Sequence, residues 1–349
     1  MQFQRERVER EEITSSTLRN YVKSIKLFCE MADVPIAWKK INRGLPKIRR
    51  FADDRAPTIE EIRSICDYPD RRIKGIVFTM ASSGIRLGAW DYLRWGHIKP
   101  VHKEGKILAA RIVVYHGDEE EYFSFMTAEA YQHVEQWIEY RRECGEKINN
   151  ETWVMRQLWN TKRGHYHHGT IKAPEKLKSS GVKRLIEDAL WTQGIRKKSN
   201  LKRNRYEFQT DHGLRKWFKT RCEIAGMKSI NIEKLMGHSI GISDSYYRAT
   251  QDELLDDYSK AIPLLTIGTE NRLQMQMEQV LEQSKDNDAS IKSQLYEKEQ
   301  EIAVLTQGNL SNTDAIAALS DQIIKLVKEI EILKKEKTAD YDRIFTASR

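Results

Sequence analysis

Three short stretches in the second half of the chain decide the fold: HGLRKW at 212–217, LMGHS at 235–239 and SYYRAT at 245–250. A fourth stretch, SSGIRLGAWDYLRW at 82–95, lies upstream. Together they supply two arginines, two histidines and two adjacent tyrosines: Arg86, Arg215, His212, His238, Tyr246 and Tyr247. A phenol can attack phosphorus, guanidiniums can neutralise charge on phosphate oxygens, and imidazoles can move protons. The pattern therefore predicts metal-free cleavage of a phosphodiester bond.

The order and spacing of these residues resemble the catalytic domain of the tyrosine recombinase (phage integrase) family. The family signature is an arginine after a glycine turn, then H-x-x-R, then G-H, then a tyrosine nine residues after the second histidine. His238 plus nine is Tyr247, so the resemblance makes Tyr247 the expected nucleophile and Tyr246 the alternative. The resemblance covers roughly residues 55–260.

The resemblance also implies a role for each residue. Arg86 and Arg215 would clamp the phosphate, His212 would handle protons, and His238 would donate a hydrogen bond to the scissile phosphate. Tyr247 would form a 3′-phosphotyrosine link and release a 5′-hydroxyl. The implied activity is site-specific recombination of double-stranded DNA by four protomers acting on two duplexes, without a metal or a cofactor. Two alternatives stay open: relaxation of DNA by a type IB topoisomerase-like enzyme, and a non-catalytic DNA-binding or assembly protein with the same fold.

Two parts of the family pattern are missing from the sequence. The family places a lysine in the turn between its second and third strands, but here the turn YHGDEEE at 115–121 contains none. His116 occupies the approximate position, and Lys103 and Lys106 in the preceding turn are the other candidates for that role.

The second missing part is an acidic residue three positions after the first arginine. Ala89 stands there, and Asp91 follows two residues later, so the usual support for Arg86 is in question.

Composition agrees with a polyanionic partner. The 349 residues include 59 lysines and arginines against 51 aspartates and glutamates, a net charge of +8. A basic run without acids at 196–205, RKKSNLKRNR, is expected to contact phosphates. Four scattered cysteines without a C-x-x-C pair argue against disulfides and zinc. With no signal peptide or membrane span in the sequence, we expect a cytoplasmic, nucleoid-associated protein.

The predicted fold is mainly α-helical with a small antiparallel β-sheet. Apolar residues at helical spacing predict a partial helical DNA-clamp region over 1–50, shorter than the family usually has, with Ser16 or Thr17 as a helix cap. Residues 44–58 are expected to be the linker to a catalytic domain over 55–262. Within that domain ILAARIVVY at 107–115 and the following YFSFM are expected to pair as strands.

The last eighty residues carry a heptad pattern, with a coiled coil expected over 270–337. The a positions are mostly isoleucine and the d positions mostly leucine, a combination that favours a two-stranded parallel coil. Gly308 and its polar neighbours could instead form a turn that folds the region into an antiparallel hairpin. Family members typically end soon after the nucleophile, so this tail is a departure from the family pattern.

Overall fold

The computed structural model describes residues 2–47, 55–158, 175–196, 206, 209–241, 246–308 and 313–346. The chain divides into two compact units, Met1–Arg55 with Lys198–Gln209, and Ala56–Lys197 with Thr210–Arg349. The architecture is mostly helical with one three-stranded antiparallel sheet, which confirms the predicted fold class. The basic run 196–205 and most of the linker lie outside the described residues.

The first unit contains three helices, α1 (Gln2–Glu9), α2 (Ser15–Met31) and α3 (Trp38–Arg43). They enclose a small apolar core built from Ile13, Leu18, Val22 and Leu45. The cap of α2 is Thr14, whose side chain accepts a hydrogen bond from the backbone N–H of Thr17. The predicted cap at Ser16 or Thr17 was therefore wrong, because both residues already belong to the helix.

The second unit begins with α4 (Ile59–Cys66), which opens on a capping box between Thr58 and Glu61. The buried helix α5 (Arg71–Ser83) packs against α6 (Ala128–Glu143) and α8 (Thr210–Ile224). The remaining helices before the tail are α7 (Ser179–Thr192), α9 (Ser229–Leu235), α10 (Gln251–Ser259) and α11 (Ile262–Leu265).

The sheet has the order β1 (Ile98–Lys103), β2 (Lys106–Val114) and β3 (Tyr122–Thr127). The sequence predicted β2 and β3, but β1 was missed because its polar residues and Pro100 weaken the strand pattern. Proline is tolerated there because β1 is an edge strand, where one side needs no ladder donor.

Hydrogen bonds at the C-terminal end of α5 connect several elements of the second unit. A helix leaves its last carbonyl groups without partners inside the helix. Here three successive carbonyls each accept a hydrogen bond from a different element. The Tyr258 hydroxyl on α10 donates to Ser82 at 2.8 Å, and the Ser124 hydroxyl on β3 donates to Ser83 at 2.9 Å. The third carbonyl, that of Gly84, accepts from the guanidinium of Arg215 on α8.

The tail consists of α12 (Thr269–Gly308) and α13 (Thr313–Thr346), which contact each other within one chain. This is the hairpin alternative, with residues 309–312 between the helices outside the described part. Heptad residues of both helices are half-buried where their burial is described, among them Ile291 and Leu295 on α12 and Ile323 and Leu326 on α13. The parallel pairing of this seam with a second chain therefore stays a prediction without support from this arrangement.

One buried carboxylate holds the start of the tail. Glu129, on the first turn of α6, accepts hydrogen bonds from the backbone N–H groups of Ile267 and Gly268, both at 2.8 Å. It also accepts one from the side chain of Asn271 at 2.9 Å. The carboxylate thus satisfies donors at the N-terminus of α12, where negative charge is favourable.

All four cysteines are free. Burial raises the pKa of the Cys66 and Cys222 thiols far above the ordinary value, and Cys29 is also buried. Cys144, which follows the last residue of α6, is exposed. None of the helices in the described residues combines the length and the apolar character that crossing a bilayer requires.

We expect a fragment of residues 270–337 to be helical and monomeric, because the hairpin already half-buries its heptad residues within one chain. Sedimentation equilibrium at micromolar concentration, with circular dichroism on the same sample, measures both properties. As a control, Leu326→Asp should reduce the helix content by placing a charge in the seam, whereas Val327→Asp, on an exposed position, should not. A helical dimer would show that the seam pairs between chains instead.

Candidate active site

Helix α8 positions the second arginine in the interior of the second unit. Its apolar residues, including Leu214 and Phe218, are buried as the helical pattern predicts. Arg215 is also buried, with 6% of its surface exposed. It extends from α8 toward two chain segments, the end of α5 and the turn after α9.

The guanidinium of Arg215 connects these segments through hydrogen bonds. Its Nη1 donates to the Gly84 carbonyl, and its Nη2 donates to the Met236 carbonyl at 3.2 Å. Nη2 also lies 2.8 Å from Nε2 of His238. Arg215 and His238, which the family resemblance singled out, are therefore direct neighbours.

Arg86 lies beside this group. It directly precedes a 3₁₀ turn at Leu87–Asp91. Its Nη2 donates to the Gly237 carbonyl at 2.8 Å, so both arginines hold the same turn. Their charges are close enough for Arg86 to lower the pKa of Arg215, after the larger lowering that burial causes.

Two glycines make this close approach possible. Gly84 has a φ of +62° and Gly237 a φ of +66°, in the left-handed region that disfavours side chains. A Cβ on Gly84 would lie 2.4 Å from the ring of Phe218, and one on Gly237 would lie 2.4 Å from the ring of Tyr122. Only glycine at these two positions therefore allows the two backbone segments to approach the arginines.

Within the described part of the chain, no carboxylate pairs with Arg215 or Arg86. Their protein partners are the carbonyls of Gly84, Met236 and Gly237 and the ring of His238. Arginine remains charged at neutral pH, and buried charges are usually paired. Two adjacent guanidiniums without a carboxylate form an environment that a phosphate group would neutralise.

The partners of His238 define its tautomer. Arginine has no acceptor, so Nε2 of His238 must accept from Arg215 and cannot itself carry a hydrogen while neutral. The other nitrogen, Nδ1, contacts the carboxylate of Glu233 on α9 and donates to it. Lys219 on α8 binds the second oxygen of the same carboxylate. To donate to a phosphate as the resemblance implies, His238 would have to gain a proton at Nε2.

His212 lies one helical turn before Arg215, as the spacing of three residues predicts. Its side chain is exposed, and it forms no hydrogen bond within the described residues. The structure therefore places His212 on the same helix as Arg215 but shows no contact between it and the arginines.

The structure does not bring the expected nucleophile into this group. The hydroxyl of Tyr247 donates to Oδ1 of Asn231 at 2.7 Å. Nζ of Lys234 donates to the Tyr247 carbonyl at 2.6 Å and lies 4.7 Å from the ring centroid. Tyr246 is 84% exposed. Of the two tyrosines, Tyr247 is the one held by the protein, and it is held by α9.

A buried network keeps Asn231 in place. The Nδ2 of Asn231 donates to Asp257 at 2.8 Å, so its Oδ1 must face Tyr247 as an acceptor. Asp257, on α10, also accepts from the backbone N–H of Lys228 at 2.9 Å and from Nζ of Lys260 at 2.8 Å. Tyr247 thus lines a cleft of about 400 Å³ together with these residues.

Sequence analysis missed two tyrosines that lie beside the arginines. Tyr115 follows β2, and a Cβ on Gly88 would come within 3.1 Å of its hydroxyl. Burial raises the pKa of Tyr115, while the charges of Arg86 and Arg215 partly offset that effect. Tyr122 is the first residue of β3. Burial raises its pKa as well, and the charge of Arg215 is the largest of the effects that lower it. Their position, flanking the turn from which the family lysine is missing, was the signal that could have identified them.

The three residues considered for the missing lysine are engaged elsewhere or lie at the other end of the sheet. Nζ of Lys106 binds Glu278 on α12 at 2.9 Å, and Lys103 ends β1 next to it. His116 contacts the Glu121 carboxylate through Nδ1 at 3.0 Å. The acidic residue Glu121 thus binds its own turn and, at 2.8 Å, the backbone N–H of Gly117.

Asp91 does not support Arg86. Its Oδ1 accepts from the backbone N–H of Ser179, at the start of α7, at 3.1 Å. Its carbonyl accepts from Nζ of Lys176 at 2.9 Å. Asp91 therefore anchors α7, and the backbone turn at Gly237 takes the place of an acidic partner for Arg86.

The contacts of Glu233 predict a pH dependence of stability. Burial alone would raise its pKa, but Lys219 and His238 outweigh burial and lower it below the ordinary value. A lowered pKa in the folded state means that the ionised group stabilises the fold above the unfolded pKa. Glu233→Gln should therefore reduce the free energy of unfolding at pH 7 by about 1 kcal/mol. The difference from the wild type should shrink below about pH 4.3, the pKa of an unfolded glutamate.

Urea denaturation between pH 3 and pH 8 measures this difference. Glu223→Gln, on an exposed carboxylate of α8, is the control and should leave the pH profile unchanged. A Glu233→Gln difference that is the same at pH 3.5 and at pH 7 would contradict the assigned ion pairs.

No protein-family model and no curated protein sequence matches the chain. Solved structures similar to it include recombinases and integrases, the class of protein that its sequence motifs resemble. They include a XerA recombinase (18% identity, TM-score 0.38, covering 74% of this chain and 80% of that chain). A Tn1549 transposon integrase in complex with circular intermediate DNA is 16% identical, with a TM-score of 0.42 over 71% of this chain and 80% of that chain. A lambda integrase dimer bound to a COC′ core site is 16% identical, with a TM-score of 0.35 over 58% of this chain and 49% of that chain. Likenesses of this size carry no argument about activity, so the function has to be inferred from the side chains.

Proposed function

We propose that this chain is a site-specific DNA recombinase that cuts and rejoins strands through a 3′-phosphotyrosine intermediate. The observation that carries the proposal is the pair of guanidiniums of Arg86 and Arg215, which lie together beside His238 without a carboxylate partner in the described residues. A cationic pair of this kind, of which Arg215 is buried, suits a phosphodiester, whose two non-bridging oxygens share one negative charge.

In the proposed reaction the hydroxyl oxygen of Tyr247 attacks the phosphorus atom. Its proton passes to the exposed imidazole of His212, and the bond from phosphorus to the 5′ oxygen breaks. Arg86 and Arg215 stabilise the extra negative charge on the phosphorane, which is the role that metal ions have in other phosphoryl-transfer enzymes. The phosphotyrosine link keeps the energy of the phosphodiester, so a second 5′-hydroxyl can reverse the step without ATP.

Tyr247 has to leave Asn231 before it can react. A hydroxyl that donates its proton to an amide oxygen is not activated by that contact, and breaking one such hydrogen bond costs about 1 kcal/mol. The residues 242–245 that precede the tyrosine pair lie outside the described part of the chain. We propose that DNA in the arginine site favours the released position of the tyrosine.

The stoichiometry of strand exchange sets the size of the complex. Exchanging both strands between two duplexes requires four cuts, and each chain supplies one nucleophile. We therefore propose a tetramer of this chain on paired double-stranded sites. The net charge of +8 favours association of such an assembly with DNA.

A second function is favoured by the contact between Tyr247 and Asn231. If that contact is permanent, the chain binds DNA at Arg86 and Arg215 and assembles on it without cutting. The two functions differ in whether a covalent link to DNA ever forms.

Tyr247→Phe should abolish the covalent adduct on a duplex nicked beside the cleavage point, while DNA binding stays nearly unchanged. The reason is that phenylalanine keeps the ring but lacks the attacking oxygen. Denaturing gel electrophoresis of radiolabelled DNA measures the adduct. Tyr246→Phe is the matched control and should leave adduct formation intact. No adduct with the wild-type chain would favour the binding-only function, and relaxation of plasmids without strand exchange would favour a topoisomerase-like activity.

Arg86→Ala should lower the cleavage rate by about 10²–10³-fold, because a charge-stabilising donor is lost. Arg142→Ala, at an exposed arginine of α6, is the matched control and should cleave like the wild type. Adding EDTA should change neither rate, since the arginines carry the charge stabilisation. Strict dependence of cleavage on a divalent metal would contradict this mechanism.

A further inference from the structure

We infer that Tyr115 is the proton donor for the leaving 5′ oxygen in the proposed strand cleavage. This inference rests on the proposed function and adds to it the residue that completes the reaction. Such a donor matters because an alkoxide is a poor leaving group. Protonation by a positioned acid typically accelerates its departure by about 10²–10⁴-fold.

Lys103 and Lys106, the two lysines considered for this role, lie at the wrong end of the sheet. β2 runs from Lys106 to Val114, and Tyr115 follows it directly. Nine steps at about 3.3 Å per residue separate Lys106 from Tyr115 by about 30 Å. Lys103 pairs with Lys106 at the same far end. A Cβ on Gly88, two residues after Arg86, would lie 3.1 Å from the Tyr115 hydroxyl, so the arginine site lies at the Tyr115 end of the strand.

His116 contacts groups other than the arginines. Nδ1 lies 3.0 Å from the Glu121 carboxylate, and its ring packs against His97 with centroids 4.6 Å apart. The side chain of His116 is 57% exposed. These contacts leave the residue before it, Tyr115, as the group that the hairpin presents to Arg86.

The backbone places Tyr115 for this task. Its φ of +57° is in the left-handed region, which is unfavourable for an aromatic residue and turns its side chain out of the strand alternation. The ring packs edge-on against Tyr92, with centroids 5.3 Å apart. Its hydroxyl approaches Gly88, two residues after Arg86, where a side chain would crowd it.

A phenol has the right acidity for the step. With an ordinary pKa near 10, close to that of a lysine ammonium, it stays protonated at neutral pH. Burial raises the pKa of Tyr115 further and keeps the proton in place, while Arg86 and Arg215 stabilise the phenolate once the proton has left. In the step, the P–O5′ bond breaks, its electron pair goes to O5′, and O5′ takes the proton of the Tyr115 hydroxyl. In rejoining, the phenolate takes the proton back from the attacking 5′-hydroxyl.

Tyr122 provides a matched comparison in the same site. Its hydroxyl is also near Arg215, but the oxygen is fully enclosed and has no hydrogen bond of normal geometry within the described residues. An enclosed oxygen cannot reach a leaving group. Tyr122→Phe therefore alters the surroundings of the arginines without removing an accessible proton.

The test uses the full chain and two DNA substrates that differ in one atom. In the second substrate the 5′ oxygen at the cleavage point is replaced by sulfur, because a thiolate leaves without protonation. On ordinary DNA, Tyr115→Phe should form the covalent adduct about 10²-fold or more slowly than the wild type. On the sulfur substrate it should match the wild type. Tyr122→Phe and His116→Ala should show the same rate relative to the wild type on both substrates.

Three results would overturn the inference. The first is a Tyr115→Phe variant that cleaves ordinary DNA at the wild-type rate. The second is a defect in that variant of the same size on both substrates, which would give Tyr115 a structural role. The third is rescue by sulfur of His116→Ala instead. If the wild type forms no adduct on either substrate, the proposed function fails, and the inference fails with it.

Discussion

The second unit depends on how the last carbonyls of α5 are satisfied. Those of Ser82, Ser83 and Gly84 have no partners within the helix, and each takes a hydrogen bond from a side chain distant in the sequence. The partner of Gly84 is Arg215, whose buried charge is the most costly group in the region to leave unpaired. The same guanidinium reaches Met236 and His238, so satisfying the end of one helix also assembles the site. Fold and function therefore share one interaction here, and a substitution at Arg215 affects both.

The sequence predicted Arg86, Arg215 and His238 as members of this group because the motifs on which the family resemblance rests are short along the chain. His212 and Arg215 share a helix, and Gly237 and His238 follow the next one, so each motif could be recognised locally. The small sheet was found for the same reason, since β2 and β3 carry branched and aromatic residues. The burial of Arg215 was not predictable, because it depends on which carbonyls the packing of α5 and α8 brings close.

The remaining differences between expectation and structure involve partners that no local pattern encodes. The tail carries a heptad pattern, but such a pattern does not specify whether the partner helix belongs to the same chain. The spacing of Tyr247 from His238 is the expected one, yet its hydroxyl contacts Asn231, which is fixed in turn by Asp257 on another helix. Lys103 and Lys106 looked close to the site in sequence, whereas the length of β2 separates them from it. In the first two cases the outcome was decided by a contact that the local pattern does not specify, and in the third by the length of a strand.

The thiols described above give this protein a single labelling position. Cys29, Cys66 and Cys222 are buried, and burial keeps the last two protonated, whereas Cys144 is exposed. Since only an accessible thiolate reacts readily, a maleimide dye would attach at Cys144 without any engineered substitution. That position follows the last residue of α6, the helix whose first turn binds the start of the tail through Glu129. Fluorescence from a natural cysteine could thus report assembly on DNA in real time, with the chemistry of the site untouched.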